Sequence, residues 1–146
     1  KVFAEDGFFY TGDYASIDKK GRIFLAGRKK NTIVLENGKN VYPEEVEREF
    51  ENTLDYIKEL VVYQGDVKFD KETRTVLCMG VYLDPEQNID QAKIKADILA
   101  INKTLPVYKR IAYVDFVDSE YEKTSTRKIK REQAATRHTK DKGMII

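Results

Sequence analysis

Residues Val41 to Leu54 read V-Y-P-E-E-V-E-R-E-F-E-N-T-L, and the reading of this stretch settles how the rest of the chain is partitioned. Pro43 has a φ already suited to a first helical turn and no N–H to leave unbonded there. Glu44 and Glu45 face the positive end of the helix dipole, and Val46, Phe50 and Leu54 recur every fourth residue. One helix with a single apolar stripe is predicted from Pro43 onward. Upstream, Tyr14 to Ile17 and Arg22 to Leu25 flank the turn Asp18-Lys19-Lys20-Gly21 and predict a hairpin. After the charged break Arg28 to Asn31, Thr32 to Leu35 reads as a strand that turns at Glu36-Asn37-Gly38-Lys39 and returns through Val41.

Downstream, strands are expected over Leu60 to Gln64 and Thr75 to Leu83, joined by the polar segment Gly65 to Arg74. The second is apolar on both faces, which suits the inside of a sheet. Asn88 or Asp90 can cap a second helix whose buried face is Ile94, Ile98, Ile101 and Leu105, ended by Pro106. Ile111 to Val117 is another strand, and about Lys128 to Arg137 is weakly helical. Strand pair, helix, two strands, helix, strand: this order predicts an α+β domain, a small mostly antiparallel sheet with packed helices, preceded by the β-hairpin.

The 146 residues suit one compact domain. With 26 basic and 25 acidic residues the net charge is only +1, but the charge is unevenly placed. Lys123 to Ile146 holds eight Lys/Arg against Glu132 and Asp141, a net of +6, leaving −5 for the residues before it. A basic tail on an acidic body hints at nucleic acid. The tail has no aromatic after Tyr121 to stack a base, and no zinc or helix-turn-helix pattern accompanies it, so no nucleic-acid partner is expected. Cys78 is the single cysteine; T-V-L-C-M-G-V-Y-L around it reads as a buried strand thiol in a reducing compartment, not a nucleophile. No apolar run has transmembrane length, no signal peptide is read at the start, and a first residue of Lys1 suggests a piece excised from a longer protein.

Three segments remain: Tyr10-Thr11-Gly12-Asp13, the run from Gly27-Arg28-Lys29-Lys30 to Val41-Tyr42-Pro43-Glu44-Glu45-Val46-Glu47, and Lys123-Thr124-Ser125-Thr126-Arg127-Lys128-Ile129-Lys130-Arg131. Each alone has an ordinary structural reading as a turn, a solvated loop or a charged surface. Together, in this order and at these separations, they resemble the closing motifs of the AMP-forming acyl-CoA synthetases of the adenylate-forming superfamily. The resemblance implies that residues 1–30 are the last strands of a large adenylation domain and the hinge, and that residues 31–146 are a mobile C-terminal domain. It implies that Asp13 accepts hydrogen bonds from the ribose hydroxyls of ATP, that Arg28 lies beside the nucleotide, and that Lys30 is the pivot. Gly38 would line the channel for the pantetheine arm, and Lys128 would be the adenylation lysine, bridging the substrate carboxylate and the nucleotide.

The reaction so implied joins a carboxylic acid to ATP, giving an acyl-adenylate and pyrophosphate, and then to the thiol of coenzyme A with loss of AMP. ATP with Mg2+ and coenzyme A are substrates held mostly by the adenylation domain, which is the expected partner; no protein-bound metal is implied. Many family members have Ser-Gly before the lysine, where this chain has Thr126-Arg127. The form T-x-T-x-K-x-K-R is closer to long-chain fatty acid–CoA ligases, so a fatty acid is the expected substrate. The location implied is cytoplasmic, with peripheral attachment to a membrane left open. A fragment of this kind is expected to be inactive by itself, and the alternative is a standalone binding or regulatory module of the same fold without catalysis.

Overall fold

A computed structural model describes residues 4–136 and 143–146, which form two compact units, Lys1–Glu45 and Val46–Ile146. In the first unit, β1 (Asp13–Ile17) and β2 (Ile23–Arg28) form the expected antiparallel hairpin, with a register irregularity between Tyr14 and Ala15. The turn holds because the Asp18 carboxylate accepts from the N–H groups of Lys20 and Arg22, both at 2.9 Å, and from the Arg22 guanidinium. Those bonds from Arg22 hold the Asp18 carboxyl below its usual range. A 3-10 turn, Lys29–Asn31, leads to the short antiparallel pair β3 (Ile33–Val34) and β4 (Asn40–Val41).

Helix α1 (Pro43–Glu51) opens at the predicted proline, its Val46 and Phe50 are buried as the spacing demands, and Leu54, past its end, is buried too, its N–H bonding the Phe50 carbonyl at 2.9 Å. In the second unit a four-stranded mixed sheet has the order β5-β6-β7-β8, from β5 (Ile57–Phe69), β6 (Glu72–Leu83), β7 (Tyr113–Phe116) and β8 (Gly143–Ile145). Two of its pairings are antiparallel, while β6 and β7 run parallel because α2 (Gln91–Thr104) carries the chain back between them. The segment expected to join two short strands, Gly65 to Arg74, is instead the far half of a long hairpin. Gln64 to Phe69 pair with Leu77 to Glu72, and the reversal is confined to Asp70 and Lys71, with Asp70 at φ 51°. Each strand of this hairpin bonds its inward backbone groups to the other, so polarity of the side chains does not end the strand.

Alternation along the strands covers both faces. Val61, Tyr63, Val67, Cys78 and Tyr113 share a cluster with Tyr121 and Ala134, the last from α3 (Arg131–Thr136). Leu60, Val62, Met79, Val81 and Val114 point the other way and are equally buried. Asp90 caps α2 through the N–H of Ala92 at 3.3 Å, and Ile94, Ile98 and Ile101 are its buried face. Buried Asn102 fastens the end of α2 to the chain entering β7: its amide donates to the Ile111 carbonyl at 2.8 Å and accepts from the Ile111 N–H at 3.0 Å. Gly80 has no side chain for a reason of space, since a Cβ there would collide with the Tyr121 hydroxyl.

Candidate functional site

Asp13 opens β1 and Arg28 closes β2, so the hairpin register sets them opposite one another, and their side chains form an ion pair at 3.3 Å. Both remain partly accessible, which makes the pair weak as a stabilising element and available as a surface. Behind it lies a contact that sequence patterning gave to the helix dipole alone. The Glu44 carboxylate accepts from the Arg28 N–H at 3.3 Å and from the Asn31 side-chain amide at 2.6 Å, gripping both flanks of the 3-10 turn that carries Lys30. A Cβ on Gly27 would sit 2.6 Å from Glu44 Oε2, so the glycine admits the carboxylate. The signal available in sequence was the Gly27 to Glu44 spacing within one motif, which names no contact. Lys30 itself is exposed.

Gly38 lies in the turn between β3 and β4, where its N–H bonds the Leu35 carbonyl at 2.8 Å and Leu35 bonds back to Lys39 at 2.9 Å. Its φ of 79° is one that L residues avoid, and a Cβ built there meets nothing within 4 Å. Turn geometry therefore accounts for the glycine locally, and the turn presents open backbone.

Lys128 belongs to the second unit, and its setting differs from expectation. The sequence predicts a weak helix from about Lys128; α3 begins only at Arg131, and Lys128 stands on a small hairpin before it. Lys123 bridges Ile129, the Thr124 N–H bonds the Lys128 carbonyl at 2.8 Å, and the Lys130 N–H bonds the Glu122 carbonyl at 2.9 Å. At the tip the Thr124 hydroxyl accepts from the Lys128 N–H at 3.2 Å, and Arg127 takes φ 61°. A hydroxyl competing for backbone donors and one left-handed residue favour a turn over helix initiation. The last residue of the weakly helical reading, Arg137, lies outside the described residues.

The five cations of Lys123 to Arg131 divide sharply. Lys123 pairs with Glu59, Lys130 with Glu122 at 3.3 Å, and Arg131 with Glu47. Among the described residues, Arg127 and Lys128 have no ion-pair partner, and both are exposed. The Glu59 carboxylate holds Lys123 above the usual ammonium range, with Glu120 adding to the effect. The hairpin thus leaves the Lys128 ammonium exposed and unneutralised, next to the equally unpaired Arg127, while Lys123, Lys130 and Arg131 are engaged.

Cys78 is buried as expected, with burial first and the Asp115 charge second pushing its thiol up to about 12. Burial and the same carboxylate, which accepts from the Tyr63 hydroxyl at 3.2 Å, raise the Tyr63 phenol as well. A thiol kept protonated inside the sheet is no nucleophile. Among the described residues no group of three or more His, Cys, Asp or Glu side chains gathers as a metal site, and no helix is long and apolar enough to cross a membrane.

No protein-family model matches the chain. It is 30% identical over 156 aligned residues to the long-chain-fatty-acid–CoA ligase FadD15 of Mycobacterium tuberculosis, covering 93% of this chain and 26% of that protein. It is 26% identical to the 2-succinylbenzoate–CoA ligase of Listeria monocytogenes over 92% of this chain and 27% of that one. Among solved structures, the anthranilate CoA ligase AuaEII in complex with anthranoyl-AMP superposes with a TM-score of 0.73 at 27% identity, over 89% of this chain and 24% of that one. The chain spans about a quarter of the length of the curated relatives it matches.

Proposed function

We propose that this chain, homologous to the C-terminal domain of AMP-forming acyl-CoA ligases, is the mobile part of an acid–thiol ligase that activates a long-chain fatty acid with ATP and passes the acyl group to coenzyme A. The observation that carries the reading is Lys128: an exposed ammonium on a braced hairpin, unpaired among the described residues while Lys123, Lys130 and Arg131 on either side are engaged. A compact cation of this kind can stabilise negative charge as it redistributes between a carboxylate and an α-phosphate, provided it is preorganised. Asp13 would take the ribose hydroxyls of the nucleotide, and Arg28, held opposite it, would flank the nucleotide. Lys30 would be the pivot between the adenylating and thioester-forming orientations, and Gly38 would face the pantetheine arm in the second.

ATP, its Mg2+ and coenzyme A are substrates in this scheme, with most of their contacts supplied by an adenylation domain preceding the chain. The exposed Phe8, Phe9, Tyr10, Ile17 and Ile23 support that partner, because so dense an apolar set is expected where another layer of protein normally packs. The fatty-acid assignment rests on the Thr124 to Arg131 pattern and on the name of one relative; other relatives are named for aromatic acids. A cytoplasmic enzyme, with or without peripheral attachment to a membrane, follows from the same reading. The fragment without its adenylation domain is expected to be inactive.

The test is to measure pyrophosphate release and acyl transfer to coenzyme A separately in the complete ligase, with long-chain and short-chain acids. Lys128→Ala should slow adenylation by roughly 10²- to 10³-fold, as for loss of one preorganised electrostatic contact. It should spare thioester formation from supplied acyl-adenylate. An equal effect on both steps, or on neither, refutes the role given to Lys128, and a preference for short acids refutes the substrate.

A further inference from the structure

The hairpin that presents Lys128 is only a few residues long, and a two-stranded ribbon of that size has little stability of its own. Its two feet are nevertheless tied to one strand. β5 lies at the edge of the sheet, so part of its backbone faces outward without a neighbouring strand. At one foot, the Glu59 carboxylate of β5 accepts from the Tyr121 N–H at 2.8 Å and pairs with the Lys123 ammonium. At the other, three residues further along β5, the outward N–H of Val62 donates to Glu47 at 2.8 Å and its carbonyl accepts from Arg131 Nη1 at 2.6 Å. Arg131 in turn clasps Glu47 through both terminal nitrogens, Nη2 at 3.2 Å. One guanidinium thereby joins α1, the sheet edge and the first residue of α3, and Lys128 is three residues before it.

We propose that Arg131, through its fork to Glu47 and Val62, is a positioning residue for adenylation: it fixes the foot of the hairpin from which Lys128 reaches the reacting groups. This rests on the role given to Lys128 above. Catalytic groups act within a narrow geometric tolerance, and a displacement of about 1 Å can cost about 10²-fold in rate. Lysine at 131 would keep a charge near Glu47 but lacks the planar fork that engages two acceptors at once. The pair lies on the same side of the pivot as Lys128 and sets where the ammonium stands on its own unit; the acyl-transfer orientation, which does not use that lysine, does not draw on it.

The experiment uses the complete ligase with Arg131→Lys and Arg131→Ala, each alone and combined with Lys128→Ala, and reads the two half-reactions from the same preparation. Arg131→Lys should lower adenylation by about 10-fold and Arg131→Ala by up to about 10²-fold. Acyl transfer from supplied acyl-adenylate should stay within about threefold, which also reports that the unit is folded. In the Lys128→Ala background neither change should slow adenylation further, because the group it positions is gone. If Arg131→Ala abolishes both steps by unfolding, the Lys variant decides. Equal losses in both half-reactions for Arg131→Lys, or losses that multiply with Lys128→Ala, overturn the proposal. Normal adenylation in Arg131→Lys and Arg131→Ala, with Lys128→Ala impaired, sinks this inference alone; normal adenylation in Lys128→Ala sinks the lysine assignment and this inference with it.

Discussion

Replacing Glu47 by alanine tests whether the charged pair at the sheet edge holds the second unit together. The Glu47 and Arg131 side chains are only 12% and 18% exposed, so they are screened far less than surface ions. Glu47→Ala removes three acceptor contacts at once: from the Val62 N–H, from Nη1 and from Nη2 of Arg131. It also leaves a guanidinium whose Nε is already buried without a partner. Breaking one side of a buried pair costs about 3–5 kcal/mol. Arg131 keeps the Val62 carbonyl and has some access to water, which places the cost near the lower end, about 3 kcal/mol. With a urea m-value of about 2 kcal/mol/M, the midpoint should fall by about 1.5 M. Glu47→Gln retains an acceptor for Val62 and should cost roughly half as much. The assay is urea unfolding of the 146-residue chain followed by far-ultraviolet circular dichroism and by tyrosine fluorescence, since the chain has no tryptophan. A midpoint shift below about 0.3 M for Glu47→Ala would show that the pair contributes no more than an exposed one.

Alkaline pH should weaken the fold through Cys78, whose thiol titrates at about 12 in the native chain against 9.0 when free. Between those values the unfolded chain has lost a proton that the folded one keeps, so unfolding free energy falls with rising pH, by at most about 1.4 kcal/mol per unit; Cys78→Ala should flatten that slope in urea titrations at several pH values, and an unchanged slope contradicts the cause. Arg127→Gly should raise the melting temperature slightly, because φ 61° costs an ordinary residue about 1 kcal/mol that glycine does not incur, and a lower melting temperature would mean the Arg127 side chain stabilises the tip. Gly38→Val in the complete ligase should slow acyl transfer to coenzyme A while pyrophosphate release stays near normal; slower release with unimpaired transfer contradicts the channel role. Gel shifts with duplex and single-stranded DNA and RNA at physiological salt should reveal only weak, salt-sensitive binding by the basic tail, and a sub-micromolar complex would reopen the nucleic-acid reading.

Periodicity and punctuation determined much of this chain unaided. Pro43 with an apolar residue every fourth position has one good solution, and so has Asp18 to Gly21 between two apolar runs; both elements lie where expected. The likeness of the three motifs to the ligase family was also legible in residue order alone. Local signals were weaker where polar side chains lay on strands: Gly65 to Arg74 looked like a loop because the backbone pairing that holds it extended is made with residues of the partner strand. Lys123 to Arg131 was harder still. Five cations in nine residues look equivalent on the page, and whether one of them is paired depends on Glu47, Glu59 and Glu122, two of which come from distant parts of the chain. Only the tertiary structure brings those carboxylates to the hairpin, engaging Lys123, Lys130 and Arg131 and leaving the Lys128 ammonium exposed, because ion pairing is decided by distance in space and sequence spacing records that distance only within one helix or strand.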